Sequence, residues 1–294
     1  MIDTSTNIGD ALAAATLVLR DAGQPTPRLD AEVLLAHVTG RDRTWLLAHP
    51  EAGFEEGDAL SAAVERRAAG EPVAYIRGFK EWRSLRIRTD ARALIPRPET
   101  ELVVAAAAAE ITSRLSRQPI TVAWDVATGS GAIALALALD FRREIADGRL
   151  RLVASDVSTD ALTLAAKNLA AHGVAEAVTL ETADLLAPAG ERLPRPDVVT
   201  ANLPYVPSAE VDARVGSLGF EPRVALDGGA DGLDLLRRLL ADVPLHAAPG
   251  ATVVLELGVD QVDRVRGLVP IGASVSVVPD LAGLDRVVRL DLPQ

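Results

Sequence analysis

The sequence contains no cysteine, and only four of its 294 residues are histidine. The absence of cysteine excludes disulfide bonds, thiolate nucleophiles and cysteine metal sites, and four scattered histidines do not favour a histidine metal cluster. We therefore predict that the protein holds no metal. A reducing, cytoplasmic environment is compatible with this composition.

Aromatic residues and long apolar runs are also scarce. Aromatic residues make up 3% of the chain and hydrophobic residues 49%, so Ala, Val and Leu must fill the core. The apolar runs at residues 102–109 and 132–139 are too short to span a bilayer. Residues 1–4 include no basic side chain of the kind that begins a signal peptide. These features predict a protein that is neither membrane-bound nor exported.

The net charge is −11, and the isoelectric point is about 4.9. This acidic balance argues against a surface that holds nucleic acid mainly through its phosphates. The charge is uneven, because residues 79–97 contain six basic and only two acidic side chains. Such a segment fits an acidic partner, and it fits solvated strand faces equally well.

The first seventy residues have the pattern of a small helical domain. Apolar residues recur at helical spacing over residues 8–22, and Gly23 ends this helix. Further helices are predicted at 28–39, 43–48 and 58–69. Because this part has no combination of acid, base and nucleophile, its predicted role is packing or binding a partner.

The next segment joins this helical part to the rest of the chain. Residues 71–82 are followed by alternating Leu85, Ile87 and Thr89, which predict a strand or hairpin that bridges two domains. A helix should follow, with Pro98 in its first turn. Arg97 lies between two prolines that would hold its side chain in place, which suits a binding residue and equally suits a rigid start to the helix.

Strand-like and helix-like segments alternate from residue 121 onward. The predicted strands are residues 121–126, 151–155, 178–181, 197–201, 251–257, 274–278 and 286–290. Helices are predicted between them, for example at 161–171 and 233–240. This alternation predicts an α/β domain with a mostly parallel sheet and helices on both faces. Ligands of such sheets bind at the carboxyl ends of the strands.

Residues suited to a nucleotide-type ligand follow three of these strands. Gly129 and Gly131 come after the first strand, where small residues let the backbone approach a ligand at the start of a helix. Asp156 ends the second strand, where a carboxylate could accept both hydroxyls of a ribose. Asp184 and Leu185 follow the third strand, where the edge of an adenine would fall.

The fourth strand ends in Asn202-Leu203-Pro204-Tyr205. The Asn202 side-chain oxygen and the Leu203 carbonyl could each accept one N–H of a planar –NH2 group, which would turn the nitrogen toward an electrophile. Pro204 favours an extended Leu203 and so helps to aim its carbonyl. Tyr205 would supply an aromatic wall. These four residues alone are equally consistent with a capped turn that carries a core tyrosine.

The residues leave three classes of function open. Gly129 to Ala134 with Asp156 downstream also fits a nicotinamide oxidoreductase, although that function leaves the tetrapeptide at Asn202 without a role. A DNA or RNA methyltransferase acting on exocyclic amines would use the same tetrapeptide, but the acidic composition argues against it. A catalytically silent binding protein could have the same fold.

Taken in order, the motifs resemble those of the release factor glutamine methyltransferases, the PrmC/HemK family. The resemblance covers nearly the whole chain. The matching segments are residues 72–76, 94–101, 125–134, 202–205, 221–229, 231–233 and 285–287.

The resemblance implies an S-adenosylmethionine-dependent enzyme that methylates the side-chain amide nitrogen (N5) of the glutamine in the Gly-Gly-Gln motif of class I peptide chain release factors. It implies a helical substrate-recognition domain (1–78), a β-hairpin linker (79–97) and a seven-stranded, Rossmann-like methyltransferase domain (98–294). Release factors would be the partners, with no nucleic acid or membrane expected.

The resemblance also implies roles for individual residues. The cofactor would contact Ala127, Thr128, Gly129, Ser130, Gly131, Asp156, Asp184, Leu185 and Asn202. The glutamine would bind in a catalytic pocket made by Asn202, Leu203, Pro204 and Tyr205, with Arg97 as a further substrate contact.

Two positions depart from the family pattern. Ala127 stands where the family usually has glycine, and Leu203 stands where it usually has proline. A proline at 203 would fix φ at that residue. Since the acceptor needed there is a backbone carbonyl, which leucine retains, we expect activity to persist with some loss of preorganisation.

Overall fold

The computed structural model describes residues 7–187, 191–214 and 216–294. The prediction that concerns residues 1–4 therefore lies outside the described residues. The chain forms two compact units. One contains the described residues up to Phe79 together with Arg214–Phe220, and the other contains Lys80–Ala213 and Glu221–Gln294.

The first unit is helical. Its helices are α1 (Ile8–Asp21), α2 (Pro27–Thr39), α3 (Arg43–Ala48), α4 (Gly57–Ala68) and α5 (Val73–Arg77). The first four match the predicted helices to within one residue at each end. The fifth was not predicted as a separate helix, although it lies within the predicted helical domain (1–78). Pro72 accepts hydrogen bonds from the first turn of α5, and Gly78 closes it with a φ of 75°.

A buried arginine links Arg214–Phe220 to the helices of its unit. Arg67 is 5% exposed, and its Nε lies 2.7 Å from Asp30 Oδ2 of α2. Its Nη1 also donates to the Ser217 hydroxyl, 3.0 Å away, and to the Glu71 carbonyl. Because a buried guanidinium needs partners for its N–H groups, these contacts fix the segment around Ser217.

The second unit begins with the predicted hairpin, formed by β1 (Phe79–Trp82) and β2 (Leu85–Arg88). The helix expected from Pro98 is α6 (Thr100–Leu115), which begins two residues later. The remaining helices are α7 (Ala132–Asp140), α8 (Arg142–Ala146), α9 (Thr159–Ala171), α10 (Ser208–Asp212), α11 (Asp234–His246) and α12 (Val262–Arg266). The sequence did not predict the five-residue helices α8, α10 and α12.

Seven strands form one sheet in this unit. They are β3 (Thr121–Val126), β4 (Leu150–Asp156), β5 (Val178–Thr182), β6 (Val198–Ala201), β7 (Thr252–Glu256), β8 (Ser274–Pro279) and β9 (Asp285–Asp291). Their order is β5-β4-β3-β6-β7-β9-β8. β3 to β7 run parallel, and β9 is antiparallel to both neighbours. The predicted α/β fold with a seven-stranded sheet is confirmed.

The sheet is covered on both faces. Ala123 packs with α6, α7 and α9 on one face, whereas its neighbours Val122 and Trp124 pack with α11 and α12 on the other. Successive side chains of a strand point to opposite faces, so a strand buried on both sides must be apolar throughout. This explains why the central strands read as continuous apolar runs. Within the described chain, no helix is long and apolar enough to cross a membrane.

The order in which the chain adds strands to the sheet reverses between β3 and β6. From β3 the order runs to β4 and β5 on one side, and to β6 and β7 on the other. Such a switch point opens a crevice at the carboxyl ends of the strands. The glycine loop after β3 and the tetrapeptide after β6 both start at this edge.

The loop after β3 has an unusual backbone. Ala127 has a φ of 55°, in the left-handed region that glycine adopts most easily. Gly129 and Gly131 also have positive φ. A Cβ on Gly131 would lie 2.9 Å from the Ala165 Cβ of α9, so glycine is needed there for close packing. The departure at Ala127 therefore places an L side chain in a strained conformation.

We expect Ala127→Gly to leave the free energy of unfolding unchanged or to raise it by up to about 1 kcal/mol, because relief of the positive φ offsets the added chain entropy. Denaturant titration measures this. The matched control is Ala105→Gly at an exposed interior position of α6, which should lower the free energy by about 1 kcal/mol. Equal losses in the two variants would contradict the strain at Ala127.

Candidate active site

A cavity of about 230 Å³ opens at the carboxyl edge of the sheet. The predicted site residues that line it are Ala127, Gly129, Asp156, Asp184, Leu185, Asn202, Leu203 and Pro204. A larger cavity of about 590 Å³ lies against α11 and the C-terminal residues, but none of the predicted site residues lines it. The position of the smaller cavity at the switch point makes it the candidate active site.

The other predicted residues of the glycine loop shape the loop from behind. The Thr128 hydroxyl donates to Asp125 Oδ2 at 2.5 Å, and the Ser130 carbonyl accepts from Asn168 Nδ2 at 2.8 Å. Gly131 packs against Ala165. These three residues hold the loop in its conformation, while Ala127 and Gly129 face the cavity.

Asp125, at the end of β3, is the central hydrogen-bond acceptor beneath the loop. It is 3% exposed and accepts from the hydroxyls of Thr128 and Thr200 and from the Ala134 backbone N–H. Burial raises the pKa of Asp125 to about 6, although these hydrogen bonds favour its charged form. The sequence interpretation gave Asp125 no role in the site, although an acidic residue just before a glycine loop is a signal that could have revealed one.

Asp156 joins the end of β4 to the glycine loop. One carboxylate oxygen accepts from the Gly129 N–H and the other from the Ser158 N–H, both at 2.9 Å. Burial raises the pKa of Asp156, and these backbone hydrogen bonds oppose that rise. A carboxylate can accept about four hydrogen bonds, so Asp156 keeps acceptor capacity toward the cavity.

Asp184 and Leu185 border the cavity in different ways. Asp184 is exposed and lies 2.7 Å from Arg238 in an ion pair. Leu185 is 6% exposed and has a φ of 55°, so its apolar side chain is held in a strained backbone position. Leu185 thus offers an apolar surface, and Asp184 with Arg238 offers a polar rim.

Asn202 is connected to Glu256 by a chain of two hydrogen bonds, and its side chain also interacts with that carboxylate directly. Its Nδ2 donates to the Thr100 hydroxyl at 3.2 Å, and that hydroxyl donates to Glu256 Oε2 at 2.5 Å. The Asn202 Oδ1 is buried and has no hydrogen-bond partner within the described chain. A buried acceptor without a partner is costly, and such groups are rare in proteins. Asn202 therefore lines the cavity and carries a buried acceptor that no described residue satisfies.

Tyr205 lies on the other side of Glu256. Its hydroxyl is 3.5 Å from Glu256 Oε1, and burial together with the Glu256 charge raises the pKa of Tyr205 to about 12. The Tyr205 carbonyl accepts from Gln261 Nε2 at 3.0 Å. A Cβ on Gly232 would lie 2.3 Å from that carbonyl oxygen, so only glycine fits there. Tyr205 does not line the 230 Å³ cavity but borders a small void beside it.

Arg97 forms an ion pair with another residue of the protein. Its Nη2 lies 2.5 Å from Glu221 Oε1, and its carbonyl accepts from the Trp82 indole N–H. Glu221 is 2% exposed and also accepts from the Ile95 N–H. The Arg97 side chain is 32% exposed and does not line the cavity, so its role as a substrate contact stays a prediction.

Four further residues support the site without having been predicted to do so: Thr100, Glu221, Glu256 and Gln261. Glu256 lies at the carboxyl end of a predicted strand, the same signal that identified Asp156, and so could have been found. Thr100, Glu221 and Gln261 meet their hydrogen-bond partners only in the folded chain, so no local sequence signal identifies them. Among residues 7–187, 191–214 and 216–294, no group of three or more histidines and carboxylates is placed to hold a metal ion.

Solved structures with a fold similar to that of this chain include methyltransferases. The catalytic domain of hMettl16, solved in complex with the MAT2A 3'UTR hairpin 6, superposes with a TM-score of 0.54 and 13% sequence identity. The match covers 79% of this chain and 82% of that domain. At this level of identity the likeness concerns the fold alone.

Comparison of sequences gives a more specific result. Residues 10–78 match the family described as the PrmC N-terminal domain. The chain is 41% identical to the release factor glutamine methyltransferase of Moorella thermoacetica, over 94% of this chain and 95% of that protein. It is 39% identical to that of Xylella fastidiosa (strain Temecula1), over 92% and 95%. At this identity and coverage, the chain belongs to the release factor glutamine methyltransferase family.

Proposed function

We propose that this protein transfers the methyl group of S-adenosylmethionine to the side-chain amide nitrogen of the glutamine in the Gly-Gly-Gln motif of class I release factors. Family membership makes the chain an S-adenosylmethionine-dependent methyltransferase that acts on release factor glutamine. The observation that carries the assignment of the site is the buried, unpartnered Oδ1 of Asn202 at the cavity. A primary amide brings the N–H donor that this oxygen lacks.

The residues that line the cavity fit the cofactor. Asp156 would accept the ribose hydroxyls, because its oxygens have acceptor capacity beyond their two backbone bonds. Leu185 would lie against the adenine, with Asp184 at its edge, and the loop from Ala127 to Gly131 would approach the cofactor through its backbone. When bound, S-adenosylmethionine supplies an electrophilic methyl group on a sulfonium.

The protein's contribution to the reaction is to orient the nucleophile. An amide nitrogen is a weak nucleophile, because its lone pair is delocalised into the carbonyl. The Asn202 Oδ1 and the Leu203 carbonyl would each accept one N–H of the glutamine, which aligns the nitrogen for in-line attack and stabilises its developing positive charge. As the N–CH3 bond forms, the S–CH3 bond would break and S-adenosylhomocysteine would leave as a neutral thioether. The methylated nitrogen would then lose its proton to water, so no strong base is required.

Tyr205 would wall the glutamine pocket as a neutral phenol. With its pKa raised to about 12, it stays protonated near neutral pH and is not suited to act as a base. Tyr205 borders the void beside the cofactor cavity, and a contact of its ring with the sulfonium from that side would be worth roughly 0.5–2 kcal/mol.

The proposed protein partner is a class I release factor. The helical domain (1–78) would recognise the release factor, and the hairpin segment (79–97) would connect it to the methyltransferase domain (98–294). Support comes from the family match over residues 10–78. Because its substrates serve translation, we place the enzyme in the cytoplasm. We expect no direct contact with nucleic acid, since the net charge is −11.

Labelled S-adenosylmethionine tests the proposed reaction directly. The purified protein should transfer label to the Gly-Gly-Gln glutamine of a purified release factor, and mass spectrometry locates it. A factor with Gln→Ala in that motif should acquire no label. Transfer to nucleic acid by folded, cofactor-binding protein, without transfer to the factor, would instead support an exocyclic-amine methyltransferase.

We expect Asn202→Ala to lower kcat/KM for the release factor about 100- to 1000-fold, the usual effect of removing one preorganised hydrogen-bonding group from an active site. The Kd for S-adenosylmethionine, measured by calorimetry, should change by less than about threefold because other residues make most of the cofactor contacts. Equal losses of cofactor binding and turnover would rule out the proposed role in holding glutamine.

Asp156→Asn should weaken S-adenosylmethionine about 10- to 100-fold, since an amide offers fewer acceptor sites than a carboxylate and carries no charge. Asp160→Asn, an exposed site on α9, is the matched control and should leave the Kd unchanged. Calorimetric titration of both variants makes the comparison. An unaltered Kd in a folded Asp156→Asn protein would remove Asp156 from the cofactor site.

A further inference from the structure

The amide of Asn202 can lie in two orientations of nearly identical shape, and only its polar neighbours distinguish them. In one orientation Nδ2 lies against the Thr100 hydroxyl and Oδ1 is left without a partner, and in the other the two groups exchange places. A glutamine amide presents N–H donors to this position in the proposed reaction, so only the first orientation lets the two groups bond. Whatever fixes the Asn202 amide therefore controls whether the site is productive.

Asn202 and Glu256 are brought together by strand pairing. Ala201 of β6 lies opposite Leu255 of the parallel strand β7. Asn202 follows the last residue of β6, and Glu256 is the next residue of β7; the Thr100 hydroxyl at the start of α6 bonds to both side chains. Thr100 is 4% exposed and Glu256 is 3% exposed, so their polar groups have little access to water.

The direction of the hydrogen bonds follows from the contact between Thr100 and Glu256. The Thr100 hydroxyl donates its single proton to Glu256 Oε2, as it must when the carboxylate is ionised and can only accept. The Thr100 oxygen is then left as an acceptor, and the group of Asn202 that faces it must be the Nδ2 donor. A reversed amide would set two oxygens against each other at Thr100.

We propose that Thr100 and Glu256 are positioning residues that hold the Asn202 amide with its oxygen toward the glutamine. This inference rests on the proposed function, since it assigns the acceptor role of Asn202 Oδ1 to a hydrogen-bond chain that begins at Glu256. Neither residue touches the reacting atoms in this mechanism. Their effect on turnover is exerted through Asn202.

Removal of the Thr100 hydroxyl is the sharpest test. Thr100→Val keeps the shape of the side chain but cannot relay the hydrogen bond, and we expect kcat to fall about 10- to 100-fold, the range for loss of a hydrogen bond to a charged group. The Kd for S-adenosylmethionine should change by less than about threefold. Thr100→Ser, which keeps the hydroxyl, should retain kcat to within about threefold.

Thr112→Val provides the matched control. It is the same substitution on an exposed turn of the same helix, and it should leave kcat unchanged. A loss in Thr100→Ser as large as that in Thr100→Val would show that packing matters at this position and would overturn the proposal. Wild-type turnover in Thr100→Val would overturn it as well.

Glu256→Gln tests the role of Glu256 in the hydrogen-bond chain separately. This second variant matters if Thr100→Val does not fold. A Gln side chain can donate as well as accept, so it no longer forces the direction of the Thr100 hydroxyl. We expect kcat to fall about tenfold or more with the Kd for S-adenosylmethionine preserved. Full turnover by the folded variant would contradict the role of the Glu256 charge.

A spectroscopic measurement separates failure of this proposal from failure of the proposed function. The Asn202 side-chain amide signals of ¹⁵N-labelled protein can be identified by their loss in Asn202→Ala. Thr100→Val should shift these signals, while Thr100→Ser and Thr112→Val should leave them near their wild-type positions. Unshifted signals in Thr100→Val would refute the hydrogen-bond chain even if the enzyme methylates a different substrate.

Discussion

The parallel pairing of β6 with its neighbours is the constraint on which the rest of the site depends. β7 on one side brings Glu256 beside Asn202, and β3 on the other side brings the glycine loop to the same edge. Main-chain hydrogen bonds set this alignment, and they are insensitive to side-chain chemistry. Groups more than fifty residues apart therefore meet because the strands are aligned, and the side chains add only the final orientation.

The site contains polar groups that a protein interior normally avoids. Asp125 and Glu256 are each 3% exposed, and burial raises the pKa of both carboxyls. The Asn202 Oδ1 has no partner within residues 7–187, 191–214 and 216–294, which costs roughly 1–3 kcal/mol. The fully buried strands β3 and β7 supply apolar contacts that offset such costs. In return, the hydrogen-bonding groups are already oriented before the substrate binds.

The strands and the residues at their carboxyl ends could be predicted from sequence because both signals are local. A strand buried on two faces is a continuous apolar run, and the polar residue that follows it marks the ligand edge. The short helix Val73–Arg77 could not be recognised, since five residues are too few to reveal a helical period. The link from Thr100 to Glu256 spans 156 residues, and that from Arg97 to Glu221 spans 124. No local pattern encodes such pairs, so they became visible only in the folded chain.

The two departures from the family pattern differ in their physical consequences. Ala127 must adopt a φ of 55°, a backbone strain that the glycine usual in the family would avoid. Leu203 is 5% exposed and packs in the core that contains β6 and β7, so its side chain adds apolar contacts. The acceptor assigned to residue 203 is its carbonyl, and Pro204 restricts the backbone around that carbonyl from the other side. Both substitutions therefore act on conformational freedom, while the atoms assigned to bind the glutamine amide are the same as in a chain with proline at 203.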